Sequence, residues 1–242
     1  MITIFRKIRQ GLFKEGRFSK YLLYAIGEIV LVVIGILIAL QLNNWNADYQ
    51  AGKEELKLLR EMRDNLATDL EDCYWNIEKQ QDLRKSNLAI LSHLENRSPF
   101  HDSLTYHYGN LIYSTTQKRN MATYDHLKSK GIDLVRNDSL RRNITTVYSE
   151  RYYFIEKLEL EYDNPYQLNH VVPQLNSKLI LNKEEKAGRP INISMLQEDD
   201  VFKGTIRMNA DIRADMIKRY TRLSMDIQAL IDQLEEELKL RQ

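Results

Sequence analysis

The residues that could hold a metal are few. The five histidines are His93, His101, His107, His126 and His170. None stands in an HExxH or ExxH arrangement, and there is no P-loop. His93, His101 and His107 fall around one expected loop, so only the folding of that loop would bring them to a common ion. Cys73 is the only cysteine, which excludes an intrachain disulfide and a Cys-based zinc site. It lies on an apolar helical stripe, the place of a core thiol rather than a nucleophile. No serine carries a local nucleophile motif. No Asp or Glu in the long C-terminal part is expected in an apolar setting that would raise its pKa for acid–base work. The expectation is a protein without enzymatic activity, cofactor or resident metal.

Two groups of side chains could instead bind. Tyr148, Tyr152, Tyr153 and Phe154, with Tyr162 and Tyr166 beyond, make one helix aromatic-rich. Such a cluster lines a ligand pocket or, more often, fills a core with its hydroxyls at the surface. Thr123, Tyr124, Lys128 and Gly131 mark a second candidate corner, for which helix capping and packing are the plainer explanation.

Glu28 is the most costly placement in the chain. It interrupts Tyr21 to Leu42, YLLYAIGEIVLVVIGILIALQL, whose other strongly polar residue is Gln41. At about 1.5 Å per residue the stretch spans roughly 33 Å, enough for a hydrocarbon layer of about 30 Å. A carboxylate inside it needs a partner or a task. Gly27, Gly35 and Ala39 lie within about 120° on the same helix, a face of small residues suited to close packing. Glu28 is therefore read in two ways: as a neutral carboxyl bonded between helices, or as an ion-handling group.

Six basic residues among the first twenty, including Arg6, Lys7, Arg9 and Lys14, face Glu15 alone, a local charge of +5 in a chain of net charge +1. The positive-inside rule keeps that end in the cytoplasm and exports the rest. Ile2, Phe5, Ile8 and Leu12 recur at helical spacing among those cations, as in an amphipathic helix on an anionic leaflet. Tyr21, Tyr24 and Trp45 stand where aromatic belts form. The run lacks a small-x-small cleavage site before Asn43, so it reads as an uncleaved anchor. The expected organisation is a cytoplasmic basic segment at 1–20, a transmembrane helix at 21–42 and an exported domain at 43–242. That domain interleaves charges of both signs and has no basic face for nucleic acid.

The stretch FRKIRQGLF followed by SKYLLYAIGEIVLVVIGILIALQLNNWN resembles the N-terminus of a widespread family of uncharacterised membrane proteins of Gram-negative bacteria. The likeness is close over residues 4–46. Thr123-Tyr124-Asp125-His126-Leu127-Lys128-Ser129 with Gly131 is similar to that family's TY-x-x-L-K-S-x-G stretch. The resemblance implies a single-pass inner-membrane protein with a helical periplasmic domain, and it carries no activity.

The elements that must position these residues are helices. Leu59, Met62, Leu66, Leu70, Cys73 and Ile77 recur at intervals of 3 and 4. The stripe thins between Glu78 and Asn87, and Ser98-Pro99 ends the helix. Shorter helices are expected at 103–113 and after Asn120, with Gly131 as a left-handed C-cap and an extended link at 132–135. Asn137 or Asp138 caps a helix to about Asp163. Asn164-Pro165 breaks it, and a further helix to Leu181 kinks at Pro173. Residues 182–200 read as loop. A last long helix carries Ile212, Met216, Tyr220, Leu223, Ile227 and Leu230 on one face. The fold expected is all-α: an amphipathic N-terminal helix, a membrane helix, and an antiparallel bundle with long first and last members.

The leading functional expectation is a non-enzymatic, membrane-anchored interaction or scaffold protein, bound to the bilayer and to itself or another envelope protein. A small-molecule sensor-like bundle and an auxiliary subunit of an ion-driven envelope complex using Glu28 are the alternatives.

Overall fold

The computed structural model describes residues 18–241. The expected amphipathic helix with Arg6, Lys7, Arg9 and Lys14 lies outside the described residues, as do the side chains of Tyr21 and Tyr24. Two compact units divide between Glu54 and Glu55. In the first, the helix α1 (Phe18–Glu95) begins. Its most apolar window has a mean hydropathy of 2.6 and no buried residue, so it is long and apolar enough to cross a membrane. Gly27, Glu28, Gly35, Ala39 and Trp45 are all exposed there. A Cβ on Gly27 or Gly35 would meet nothing.

The second unit is a helical bundle. After α1 come α2 (Thr105–Asn110), α3 (Ala122–Lys130), a composite helix α4 (138–178), a hairpin of β1 (Leu179–Asn182) and β2 (Ala187–Pro190), α5 (Ile193–Gln197) and α6 (Asp200–Leu240). Single 3-10 turns occupy Asp102–Leu104 and Ile132–Leu134.

The pairing of α1 with α6 is antiparallel. Going up α1, Glu55 meets Arg241, Cys73 meets Tyr220, Gln80 meets Arg213 and Glu95 meets Arg207. Helix α4 also runs against α6, with Asn143 on Gln233, Glu159 on Tyr220 and Tyr166 on Thr205. Its direction is therefore that of α1. Each helix buries one stripe against the other two, as amphipathic helices must.

Helix α4 departs from the sequence expectation. Asn164-Pro165 does not break it, and no separate helix starts beyond that proline. Three wide π-turns, Thr146–Arg151, Glu159–Asp163 and Gln167–Val171, carry the chain through. Asn164 N–H bonds Glu159 O and Val172 N–H bonds Gln167 O, so an i→i−5 bond stands immediately before each proline. The ladder is already shifted where the proline withholds its donor. The buried positions record this. Leu140, Ile144, Tyr148, Tyr152, Ile155, Glu159, Asp163, Gln167, Val171 and Leu175 make nine steps in 35 residues. Nine α-turns take about 32 residues, and three turns each one residue longer bring the total to about 35.

Other boundaries are closer to expectation. Asn137 caps α4, its side chain accepting from Ser139 N and Leu140 N. Asp199 caps α6 through Phe202 N. Gly131 has φ 103 and ψ 124, a glycine conformation but not the left-handed helical one expected. The link after it is a 3-10 turn rather than extended chain. Within 182–200, expected as loop, lie most of the hairpin and α5. Gly188 packs so close to Gly109 and Tyr108 that a Cβ there would lie 2.9 Å from their backbone atoms.

Two apolar clusters make the core. One gathers Met62, Leu66, Cys73, Tyr148, Met216 and Ile227; the other gathers Ile90, Leu94, Tyr108, Val171, Phe202 and Ile206. Between them sits a polar layer of Gln80, Asp163, Gln167 and Arg213, all buried.

Candidate functional site: an extended segment between two crevices

Ser114 to Asn120, STTQKRN, lies in the longest stretch without helix or strand among the described residues. It has neither helix nor sheet to receive its N–H groups, and partly buried backbone donors must be paired. Carboxylates do this. Lys118 N–H donates to Asp72 Oδ2 at 2.8 Å, Gln117 N–H to Glu159 Oε1 at 2.8 Å and Asn120 N–H to Asp69 Oδ2 at 3.0 Å. The Gln117 amide donates to Asp69 O at 2.8 Å, and Gln80 donates to Thr115 Oγ1 at 3.0 Å. The segment is thus pinned to α1 and α4 along its length.

The sequence places no Asp or Glu of this part in a setting that would raise its pKa, and Asp69 and Glu159 correct that. Asp69 and Glu159 are 0% and 1% exposed. Burial pushes both carboxyls above their usual range. The hydroxyl of Tyr152, 2.7 Å from Asp69, and the Asn120 donors oppose the first shift. The Gln117 N–H, Tyr220 at 2.8 Å and Arg119 oppose the second. A third buried acid, Asp163, receives Arg213 Nη1 on both oxygens at 2.8 Å. Burial raises Asp163 and lowers Arg213, and each partner's charge pulls the other back. Arg213 also reaches Gln167 Oε1 at 2.9 Å and Tyr113 O at 3.2 Å.

Being extended, the segment turns alternate residues to opposite sides. On one side, Gln117, Arg119 and Met121 border a crevice of 490 Å³ with Tyr124, Tyr148 and Tyr152. Tyr124 stacks on Tyr148 at 4.7 Å, and Tyr148 meets Tyr152 edge-on at 5.3 Å. Lys128, which also borders this crevice, lies 5.0 Å over the Tyr124 ring and pairs with Asp125 at 2.8 Å. On the other side, Thr116 and Lys118 face Glu71, Asp72 and Trp75 of α1 across a crevice of 720 Å³, which Thr68, Ser114, Thr115 and Asn120 also border.

The fold therefore brings Tyr124 and Lys128 together with Tyr148, Tyr152 and Tyr153. It turns Thr123 away, its Oγ1 accepting from Asn65 Nδ2 at 2.8 Å, and leaves Gly131 at the end of α3. Of the aromatic group, Phe154 faces α6 instead, with Arg219 5.3 Å over its ring. The histidines go to separate partners. His93 Nε2 donates to Pro99 O at 3.2 Å, His107 Nδ1 meets Ser86 at 3.1 Å, and His101 Nδ1 accepts from Ser103 N–H at 3.1 Å. Among the described residues no three His, Cys, Asp or Glu side chains converge on an ion site.

A family model described as "Family of unknown function (DUF6090)" matches residues 28–179. It takes in α1 from Glu28 onward, the extended segment and α4, and leaves the residues before Glu28 outside. No curated protein and no solved structure matches the chain.

Proposed function

We propose, for a chain that belongs to the Family of unknown function (DUF6090), the role of a membrane-anchored, non-enzymatic interaction protein of the bacterial envelope. In this reading the basic N-terminus stays in the cytoplasm, α1 crosses the inner membrane, and the bundle works in the periplasm on another envelope component or a second copy. The observation that carries it is the apolar first part of α1, hydropathic enough to span and with none of its most apolar window buried. The buried acids fit a structural role. Asp69 and Glu159 spend their oxygens on the extended segment and on tyrosine hydroxyls, and Asp163 spends both on Arg213. Networks of this kind shift pKa values without catalysis. Alkaline carbonate extraction of membranes tests the reading. The full chain should stay in the pellet, and a variant lacking residues 1–45 should become soluble; a full chain released by carbonate refutes it.

A second reading is a sensor-like bundle for a small molecule. It is favoured by the crevice that gathers Tyr124, Lys128, Tyr148 and Tyr152. Loss of ligand-induced stabilisation in Tyr124→Ala would be its signature.

A further inference from the structure

We infer that the larger crevice, between α1 and the outer side of the extended segment, is a saccharide-binding site. The inference rests on reading the bundle as a binding module, and it names what that module takes. The wall from α1 presents Glu71 and Trp75, four residues apart on one helical face. Trp75 is 56% exposed, an unusual cost for the largest apolar side chain. The opposite wall presents Thr116, Lys118 and Asn120. Among the described residues, Glu71, Thr116, the Trp75 indole and the Lys118 ammonium make no hydrogen bond or ion pair within the bundle. They face the same 720 Å³ space, within the size range of ligand sites.

The mixture of groups selects the ligand chemistry. An apolar ligand would strand the carboxylate, the ammonium and the hydroxyl without partners. An anion would meet Glu71 and Asp72, and a cation would meet Lys118. An uncharged molecule with many hydroxyls satisfies all of them, since each hydroxyl both donates and accepts. Trp75 adds a flat aromatic face, which a pyranose ring covers with its axial C–H groups. Asp69 and Glu159 hold the segment from its inner side and Asp72 holds Lys118 N–H from the crevice wall, so the outer side is preorganised, and binding orders little further chain.

The test uses the full-length protein in a detergent without a sugar headgroup. The chain has two tryptophans, so Trp45→Phe leaves Trp75 as the sole indole reporter. Maltohexaose, cellohexaose and chitohexaose are titrated up to about 10 mM, the weak end of specific binding. At least one should change the Trp75 emission saturably. Calorimetry with the same sugar should show at least about tenfold weaker binding in Trp75→Ala, an intermediate loss in Trp75→Phe, and weakening in Glu71→Gln. Circular dichroism should be unchanged in all three, because these side chains are exposed. Silence of all three sugars, or undiminished binding by Trp75→Ala, overturns the assignment. Neither outcome touches membrane anchoring, which carbonate extraction reads separately.

Discussion

Replacing Arg213 by Met removes the one cation of the layer between the two apolar clusters. Arg213 is 0% exposed and Asp163 1% exposed, so the variant leaves a carboxylate buried with neither its guanidinium nor water. Breaking a buried pair from one side costs about 3–5 kcal/mol. Gln167 Oε1 and Tyr113 O lose their donor as well. In a unit of this size about 1 kcal/mol shifts Tm by about 2–4 °C, so the loss is roughly 6–20 °C. The assay is thermal unfolding of the full chain in detergent, followed by far-ultraviolet circular dichroism. Two controls isolate the cause. Arg213→Met combined with Asp163→Leu removes both charges and should recover most of the loss. Acid should narrow the single-variant deficit. Burial raises the Asp163 pKa from the ordinary 3.8, so the folded form holds its proton more tightly than the unfolded chain. Stability linked to that proton is present below about 3.8 and is lost as pH rises through the folded value. A single variant melting within about 2 °C of the parent at neutral pH would refute the paired-charge account of the layer.

Three further outcomes follow from the same structure. Glu28→Gln should assemble nearly as the parent, because an amide also hydrogen-bonds, whereas Glu28→Leu should loosen helix association by about 1–2 kcal/mol in disulfide trapping; a Gln variant that assembles but behaves as a deletion would favour an ion-handling role. Cys73 is fully buried, its Sγ 3.2 Å from Tyr220 O, with its thiol pushed up to about 12 by burial first of all. At pH near 8 its alkylation should be at least about 100-fold slower in the folded protein than in guanidinium, and comparable rates would contradict its burial. Glu159, raised above the ordinary 4.5 by burial, makes stability fall as pH rises through its folded pKa. Glu159→Gln should flatten the Tm profile above about pH 4.5, and an unchanged slope would assign that dependence elsewhere.

The periodicity of apolar residues carries most of the architecture. The spanning stretch, the stripes of α1 and α6 and the Asn137 cap can all be read from types and spacing. The interior polar seam cannot, because an apolar stripe counts only apolar residues. Met62, Leu66, Asp69, Cys73, Asn76, Gln80, Leu83 and Asn87 keep intervals of 3 and 4, and all are buried. The stretch that reads as a thinning of the stripe is therefore core, made of polar residues. What makes Gln80 affordable inside is Arg213, 133 residues away, and no local pattern carries that information. Prolines misled for a related reason. Pro165 breaks an α-helix by rule, but a π-turn before it, as before Pro173, absorbs the missing donor. The clue lay in the four-residue spacing from Glu159 to Leu175, which is too long for α-turns. The crevices had only half a signal. Tyr124, Lys128 and the tyrosines of α4 stand out by type, while Trp75 meets Thr116 and Lys118 only through the tertiary path of the extended segment.

The central claim is a protein anchored by α1 with its bundle on the far side of the membrane. Paired alkaline phosphatase fusions, one at each end of the chain, test it most directly, since that enzyme matures only after export. The account predicts activity from the C-terminal fusion and none from the N-terminal one. It also predicts that the C-terminal signal weakens when Arg6, Lys7, Arg9 and Lys14 are all replaced by neutral residues. A C-terminal fusion that is inactive although stably produced, with the bundle protected from protease added outside the membrane, would contradict it.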